Sequence, residues 1–230
     1  MKLPWIEYLN LFSDLLPLVA AIFKWRRIKA GNNAEIVVLS FIVLGILSEY
    51  VSFWMISYGI HNLWVLHLYH LGEYILLMIV FISWLKNENI SLWFIQTLQW
   101  LVPFYIVIWF ISKWSFEKWD EPASYTHVWS TMIFIVLSLS VYYRLLKRSD
   151  AETYGMERSS IFKSFKFWIT SGIFFYFSGS AVLFLFMPLV IKLSRESAIA
   201  IYIIHWTVNL TSNLFYTCGF LCLTESLEER

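Results

Sequence analysis

Two histidines and a glutamate lie close together in an otherwise apolar part of the chain. The stretch LHLYHLGEY, residues 66–74, contains His67, His70 and Glu73, and apolar sequence flanks it on both sides. Imidazole nitrogens and carboxylate oxygens are groups that bind Zn²⁺ or transfer protons in enzymes. Residues three apart are neighbours on a helix surface. The pattern therefore predicts a metal or proton site on one helix.

The composition is typical of a membrane protein. Hydrophobic residues make up 59% of the chain and charged residues only 14%, with a mean hydropathy of +0.64. Soluble domains average about 25% charged residues. We therefore expect the lipid bilayer to be the main partner. The net charge of +1 gives no indication of nucleic-acid binding, and protein partners are not predicted.

Seven apolar segments are long enough to cross a bilayer, which requires about 20 residues per helix. We predict an all-α membrane protein in which residues 1–230 form a single seven-transmembrane helix bundle. The predicted spans are 5–25, 35–57, 64–85, 91–112, 125–146, 164–190 and 198–222.

The distribution of lysine and arginine predicts the orientation of these spans. Twelve of these residues fall in the loops and the terminus on one side, and five fall on the other. Because cytoplasmic loops carry the excess of positive charge, the N-terminus is predicted outside and the C-terminus in the cytoplasm. The expected location is the cell membrane, meaning the plasma or inner membrane.

Three acidic residues fall at similar depths in the predicted spans. Asp14, Glu49 and Glu73 each lie eight or nine residues from the outer end of a span, roughly 12–14 Å below the surface at 1.5 Å per residue. Ionisable residues at that depth are costly, and they indicate function by default. These three are the predicted catalytic residues.

Other polar residues follow the helical period. Asn10 shares a face with Asp14, Tyr74 shares one with the histidines of the third span, and Asn209 and Asn213 belong to a stripe on the seventh. Such stripes must face protein or water, because lipid cannot satisfy them. We predict that spans one, two, three and seven surround a pocket that opens outward and takes a lipid or small-molecule ligand.

A zinc site is the most specific chemical hypothesis for this pocket. Catalytic zinc has three protein ligands and a water. His67 and His70 lie one turn apart, and His205 could complete the set from the seventh span. Glu73 or Glu49 could orient a ligand or accept a proton from the water. The other two histidines, His61 and His127, are interpreted as solvated residues at the membrane interface.

The motif order resembles that of the seven-span intramembrane hydrolases that include alkaline ceramidases and adiponectin-type receptors. That family has Ser-x-x-x-His late in the second span, an acid near the third, and His-x-x-x-His in the seventh. Here the corresponding residues are Ser57-Tyr-Gly-Ile-His61, then Glu73, then His205-Trp-Thr-Val-Asn209. Glu73 replaces the usual aspartate, and Asn209 replaces the second histidine. The resemblance implies a zinc amidase or esterase that acts on a lipid.

Three other functions fit the same residues. A sensor or receptor would use the outward pocket for a ligand and the basic loop at 147–163 as its cytoplasmic surface. A proton-coupled transporter would use the buried acids and histidines. A purely structural network would only fix the helices. A retinal protein is excluded, because the seventh span contains no lysine for a Schiff base.

Overall fold

A computed structural model provides the fold. It describes residues 5–31, 33–86, 88, 90–119, 124–152, 161–190 and 195–223. Side chains are described in these ranges except at 5–7, 124, 148–152, 182, 184–190 and 195–202.

All regular secondary structure in the described ranges is helical, as the sequence predicts for an all-α protein. One turn of 3-10 helix, Ile161–Lys163, precedes the last two α-helices. The α-helices are α1 Trp5–Phe23, α2 Trp25–Ala30, α3 Asn33–Ser57, α4 Leu63–Lys86, α5 Leu92–Ser115, α6 Ser124–Glu152, α7 Phe165–Val190 and α8 Arg195–Cys222.

Four stretches of helix in the described residues are long and apolar enough to cross a bilayer. They are Asn33–Ser57, Leu63–Lys86, Leu92–Ser115 and Tyr125–Lys147. A shorter apolar helical stretch, Tyr8–Phe23, is part of α1. The protein is therefore an integral membrane protein by the length and apolarity of its helices.

The chain divides into two units, which we call the central unit and the terminal unit. The central unit is Asn32–Ser130, and the terminal unit combines Met1–Gly31 with Thr131–Arg230. Helix α6 contributes residues 124–130 to the central unit and its remainder to the terminal unit. The single domain predicted over 1–230 stays a prediction.

In the central unit, α4 packs against both α3 and α5. Gly59 makes the turn from α3 to α4 possible, because its φ of 69° lies in the left-handed region that glycine adopts without strain. The Gly59 N–H donates to Ile56 O, and the Ile60 N–H donates to Met55 O. These two bonds satisfy carbonyls at the end of α3 and form a Schellman motif.

In the terminal unit, α8 packs against α1 on one side and α7 on the other. Glycines allow close approach of α7 and α8. A Cβ atom at Gly172 would overlap the ring of Tyr216, and one at Gly179 would lie 2.7 Å from Val208 Cγ2. Small residues at such positions are typical of helix packing in membranes, where van der Waals contact replaces the hydrophobic effect.

Candidate metal centre and buried polar clusters

The two histidines and the glutamate of the stretch LHLYHLGEY lie on helix α4 and are buried there. His67, His70 and Glu73 are all buried, together with Tyr74 and Leu77 one turn further on. Their spacing places them on the side of α4 that packs within the central unit. Buried polar groups require hydrogen-bonding partners. One of these partners, His127, comes from α6.

His70, Glu73 and His127 form a buried group in the central unit. His70 Nδ1 lies 3.2 Å from Glu73 Oε2 and 3.2 Å from His127 Nδ1. One nitrogen or oxygen atom of each residue lies within 4.8 Å of the others. The exposed fractions are 4% for His70, 1% for Glu73 and 0% for His127, so the site is shielded from bulk water within the described residues.

Two separations in this group are close to those between neighbouring ligand atoms of a zinc site. Zinc binds imidazole nitrogen and carboxylate oxygen at about 2.0–2.1 Å in tetrahedral geometry, which places neighbouring ligand atoms about 3.3–3.4 Å apart. Both distances from His70 Nδ1 are 3.2 Å. A group of two imidazoles and one carboxylate could hold a metal ion.

Tyr69 holds the second oxygen of the Glu73 carboxylate. Its hydroxyl donates to Glu73 Oε1 at 2.8 Å, which leaves Oε2 directed at His70. Such hydrogen bonds to metal-binding carboxylates orient the ligand. Next to Glu73 in the chain, the Tyr74 ring stacks on Tyr105 of α5, with centroids 3.7 Å apart. The Glu73 carboxylate is thus fixed by its own helix and by the packing of α4 on α5.

His127 is a residue that the sequence analysis interpreted wrongly. We expected it to be solvated at the interface, but it is fully buried on α6. A signal was present in the sequence, because polar residues recur on one face of α6 at helical spacing. These residues are all buried: His127, Ser130, Thr131 and Ser138.

His67, a predicted metal ligand, has both ring nitrogens engaged by other residues. Lys113 Nζ lies 2.7 Å from His67 Nδ1, and Lys118 O lies 3.2 Å from His67 Nε2. The lysine can only donate and the carbonyl can only accept, so the proton of the neutral ring resides on Nε2. A metal at His67 would have to displace one of these bonds.

Glu117 determines where α6 begins, and thereby where His127 lies. Its Oε1 accepts the N–H groups of Tyr125 at 2.6 Å and of Thr126 at 3.0 Å. Its Oε2 accepts Lys113 Nζ at 2.7 Å and Thr126 Oγ1 at 2.9 Å. A carboxylate bound to the first N–H groups of a helix compensates its unpaired donors and its dipole. The predicted spans leave this segment between residues 112 and 125 without a role.

The charge state of Glu117 follows from these contacts. Burial acts to raise the pKa of its carboxyl, but the hydrogen bond from Lys113 and the backbone N–H of Thr126 act to lower it. The lowering effects prevail, so the pKa lies below its ordinary value of 4.5. Glu117 is therefore an anion at neutral pH, paired with the Lys113 ammonium.

The terminal unit contains a second polar cluster, which includes most of the predicted pocket residues. Asn209 Nδ2 donates to Asn10 Oδ1 at 3.1 Å and to Asp14 Oδ1 at 3.0 Å. Asn213 Nδ2 donates to Asp14 Oδ1 at 2.6 Å and to Ser13 Oγ at 3.2 Å. The structure thus brings Asn10, Asp14, Asn209 and Asn213 together between α1 and α8.

The remaining predicted site residues lie in separate surroundings. His205 is half-buried in the terminal unit, where its ring lies 6.3 Å from that of Tyr176. Glu49 is half-buried on α3 of the central unit, and His61 is exposed in the turn after α3. Ser57 donates its hydroxyl to Trp54 O at 2.6 Å. The single pocket predicted from spans one, two, three and seven draws on both units and stays a prediction.

Comparison with known proteins identifies no family for this chain. A scan against protein-family models finds no match, and searches of curated proteins and of solved structures find none either.

Proposed function

We propose that this integral membrane protein is a metal-dependent hydrolase whose ion is held by His70, Glu73 and His127. The convergence of three potential ligand atoms in a buried group carries the proposal. Such atoms in an apolar setting need a proton or a cation between them, because two imidazole nitrogens and a carboxylate otherwise present lone pairs to one another.

The chemistry of the group favours zinc. Imidazole suits zinc well, whereas Mg²⁺ and Ca²⁺ prefer sites made entirely of oxygen ligands. Two histidines and one glutamate are a ligand set of catalytic zinc sites, with the fourth position open to water or substrate. Zinc in such a site lowers the pKa of its bound water and polarises a carbonyl. Around it, this chain's own residues hold Glu73 through Tyr69 and bury both imidazoles.

We propose a lipid amide or ester as the substrate class. The site belongs to apolar helices that can lie in a bilayer, where a lipid is the substrate most readily supplied. Glu73 is also the acid in the resemblance to the ceramidase and adiponectin-receptor type, whereas His61 and His205 of that resemblance lie outside the proposed ligand set. Glu49 stays the predicted proton acceptor, since Glu73 has the geometry of a ligand.

The proposed topology has seven spans, with the N-terminus outside and the C-terminus in the cytoplasm. The four apolar helices named above are joined in this proposal by α1, α7 and α8, which contain 19, 26 and 28 residues. Each is close to or above the length needed to cross a bilayer. The excess of lysine and arginine in the predicted cytoplasmic loops supports the orientation.

Metal content of purified protein tests the metal site. The protein would be purified from zinc-supplemented cells without a histidine tag and its metals quantified by mass spectrometry. We expect about one zinc per chain from a site with three protein ligands, and loss of that zinc in His70→Ala and His127→Ala. Protein without bound metal in the wild type would contradict the proposal and favour a structural polar network.

Two matched histidine variants separate this ligand set from the one predicted from sequence. His67→Ala and His205→Ala should retain zinc, because His67 is bound to Lys113 and Lys118 and His205 lies beside Tyr176. Loss of zinc in both variants, with retention in His127→Ala, would restore the predicted set of His67, His70 and His205.

Hydrolysis is tested separately on lipid probes. Zinc-loaded protein in vesicles would be given a fluorescent N-acyl sphingoid base and a fluorescent acyl ester, and the release of fatty acid would be measured. Turnover that disappears in His127→Ala supports the hydrolase. A metal-containing protein that turns over neither probe would favour a sensor, whose ligand pocket holds a structural ion.

A further inference from the structure

Asp14 lies midway along the apolar helix α1, and it faces α8 in the terminal unit. Its side chain is 5% exposed, and Asn10, Ser13 and Asn213 around it are buried as well. A carboxyl group in such a place is costly unless its charge is neutralised or paired. The hydrogen-bond partners of its two oxygens indicate whether the carboxyl group is charged.

The two carboxyl oxygens of Asp14 differ in their surroundings. Oδ1 accepts two amide N–H groups, from Asn209 at 3.0 Å and from Asn213 at 2.6 Å. Oδ2 is buried and has no hydrogen-bond partner among the described residues. No ion pair to Asp14 is found in the described part of the chain, so no cation from that part neutralises it.

Glu117 shows what a buried anion looks like in the same chain. Both of its oxygens accept hydrogen bonds from N–H or O–H groups, and one of the donors is the Lys113 ammonium. Asp14 has donors on one oxygen only. A neutral carboxylic acid has one carbonyl oxygen that accepts and one hydroxyl oxygen that requires no donor, and the lack of a donor at Oδ2 fits the hydroxyl.

We infer that Asp14 is a proton-binding site, with the proton on Oδ2 and the amide groups of Asn209 and Asn213 holding Oδ1. The inference is independent of the proposed metal site. Release of the proton would leave a buried anion with two neutral donors and no cation, so deprotonation requires water or a cation to enter between α1 and α8.

A sodium ion is the competing ligand, and the amide orientation argues against it. The groups nearest the carboxyl are amide N–H donors, which repel a cation, whereas hard cations are held by oxygen. Other titratable or charged side chains are described on α1, on α8 and on α2, which packs against α1: Tyr8, Arg26, Arg27, Lys29, His205, Tyr216, Cys218 and Cys222. Any effect of pH on the contact between α1 and α8 through Asp14 must be separated from the titration of these other groups.

Infrared spectroscopy tests the proton directly, because a protonated carboxyl has a C=O band that a carboxylate lacks. The full-length protein in lipid would be labelled with ¹³C-aspartate and measured at pH 7. Aspartate occurs in the chain only at Asp14, Asp120 and Asp150. We expect a protonated band that shifts with the label, persists in the double variant Asp120→Asn, Asp150→Asn, and is lost in Asp14→Asn.

Thermal stability gives a second measurement that does not depend on the band. Asn is close in shape to a protonated aspartate, with an acceptor and a donor in the same places, so Asp14→Asn should leave the melting temperature unchanged. If Asp14→Asn does not fold, the isotope shift in the double variant still decides. Only carboxylate bands at pH 7, or a melting temperature that rises in sodium relative to choline chloride, would overturn the inference.

Discussion

The Nδ1 atoms of His70 and His127 lie 3.2 Å apart, although 57 residues separate them in the chain. Two neutral imidazoles can meet in this way only if one nitrogen carries a proton or if a cation lies between them. Glu73 Oε2 adds a third atom at the same distance from His70. The relationship joins polar residues of α4 to His127 of α6 in a buried group that could hold a metal ion.

Loss of the Tyr69 hydroxyl should weaken metal binding without abolishing it. In Tyr69→Phe, Glu73 Oε1 loses its 2.8 Å hydrogen bond, and the carboxylate is less well oriented. We expect about a 10–100-fold loss in zinc affinity, measured by competition with a chromophoric chelator. Tyr142→Phe is the control, because it also removes a part-buried tyrosine hydrogen bond, to Ser171. Equal losses in both variants would contradict a specific role for Tyr69.

Removal of the Glu117 charge should destabilise the central unit. Glu117→Gln leaves the buried Lys113 ammonium without its carboxylate and weakens the bonds to the first N–H groups of α6. Breaking one partner of a buried pair costs about 3 kcal/mol, measured as the free energy of unfolding in detergent. An unchanged free energy would show that this anion does not hold the start of α6.

The same residue makes stability depend on pH in a defined direction. Because the folded pKa of Glu117 lies below its ordinary value of 4.5, its contribution is fully present above about pH 4.5. It is lost as the pH falls through the folded pKa. Stability measured from pH 6 to pH 3 should fall less steeply in Glu117→Gln than in the wild type. Glu88→Gln, a half-buried glutamate between α4 and α5, serves as the control.

Close packing of α7 on α8 should make Gly172 intolerant of a side chain. A Cβ there would overlap the buried Tyr216 ring and lie 3.1 Å from Ser212 O. We expect Gly172→Ala to cost about 1–3 kcal/mol of unfolding free energy. Gly45→Ala is the control, because its added Cβ would meet Tyr69 at an ordinary 3.8 Å. Similar costs at both positions would mean that the contact with Tyr216 is not responsible.

The proposed orientation predicts which loops an impermeant thiol reagent can reach. After replacement of Cys218 and Cys222 by serine, cysteines at Asn62 and Ser115 should react from outside the cell. A cysteine at Glu157 should react only after the membrane is permeabilised. The opposite pattern would reverse the orientation inferred from the lysine and arginine distribution, and it would leave the metal-binding group unaffected.

The sequence was a good guide to helices and to which residues carry chemistry. Apolar length predicted α3, α4 and α5, because a helix in lipid must satisfy its backbone groups internally over a fixed thickness. Helical phase also predicted that Asn10 and Asp14 share one face and that Asn209 and Asn213 share another. Both faces proved to be buried and in contact.

The partners of the α4 histidines could not be predicted from apolar length and helical phase. Hydropathy carries no information on which helix packs beside α4, and so His205 was preferred to His127 as a companion of His70. The polar period of α6 was visible in the sequence, but its interpretation depended on where that helix begins. Glu117 decides this point by binding the N–H groups of Tyr125 and Thr126.

The sequence by itself determined that the chain is helical, apolar and rich in buried polar groups, because composition and period act residue by residue along each helix. Only the tertiary structure decided that His127 joins His70 and Glu73, that Lys113 and Lys118 engage His67, and that Asp14 meets two asparagines. These contacts depend on the packing and register of separate helices, which are set by side-chain shape over the whole interface.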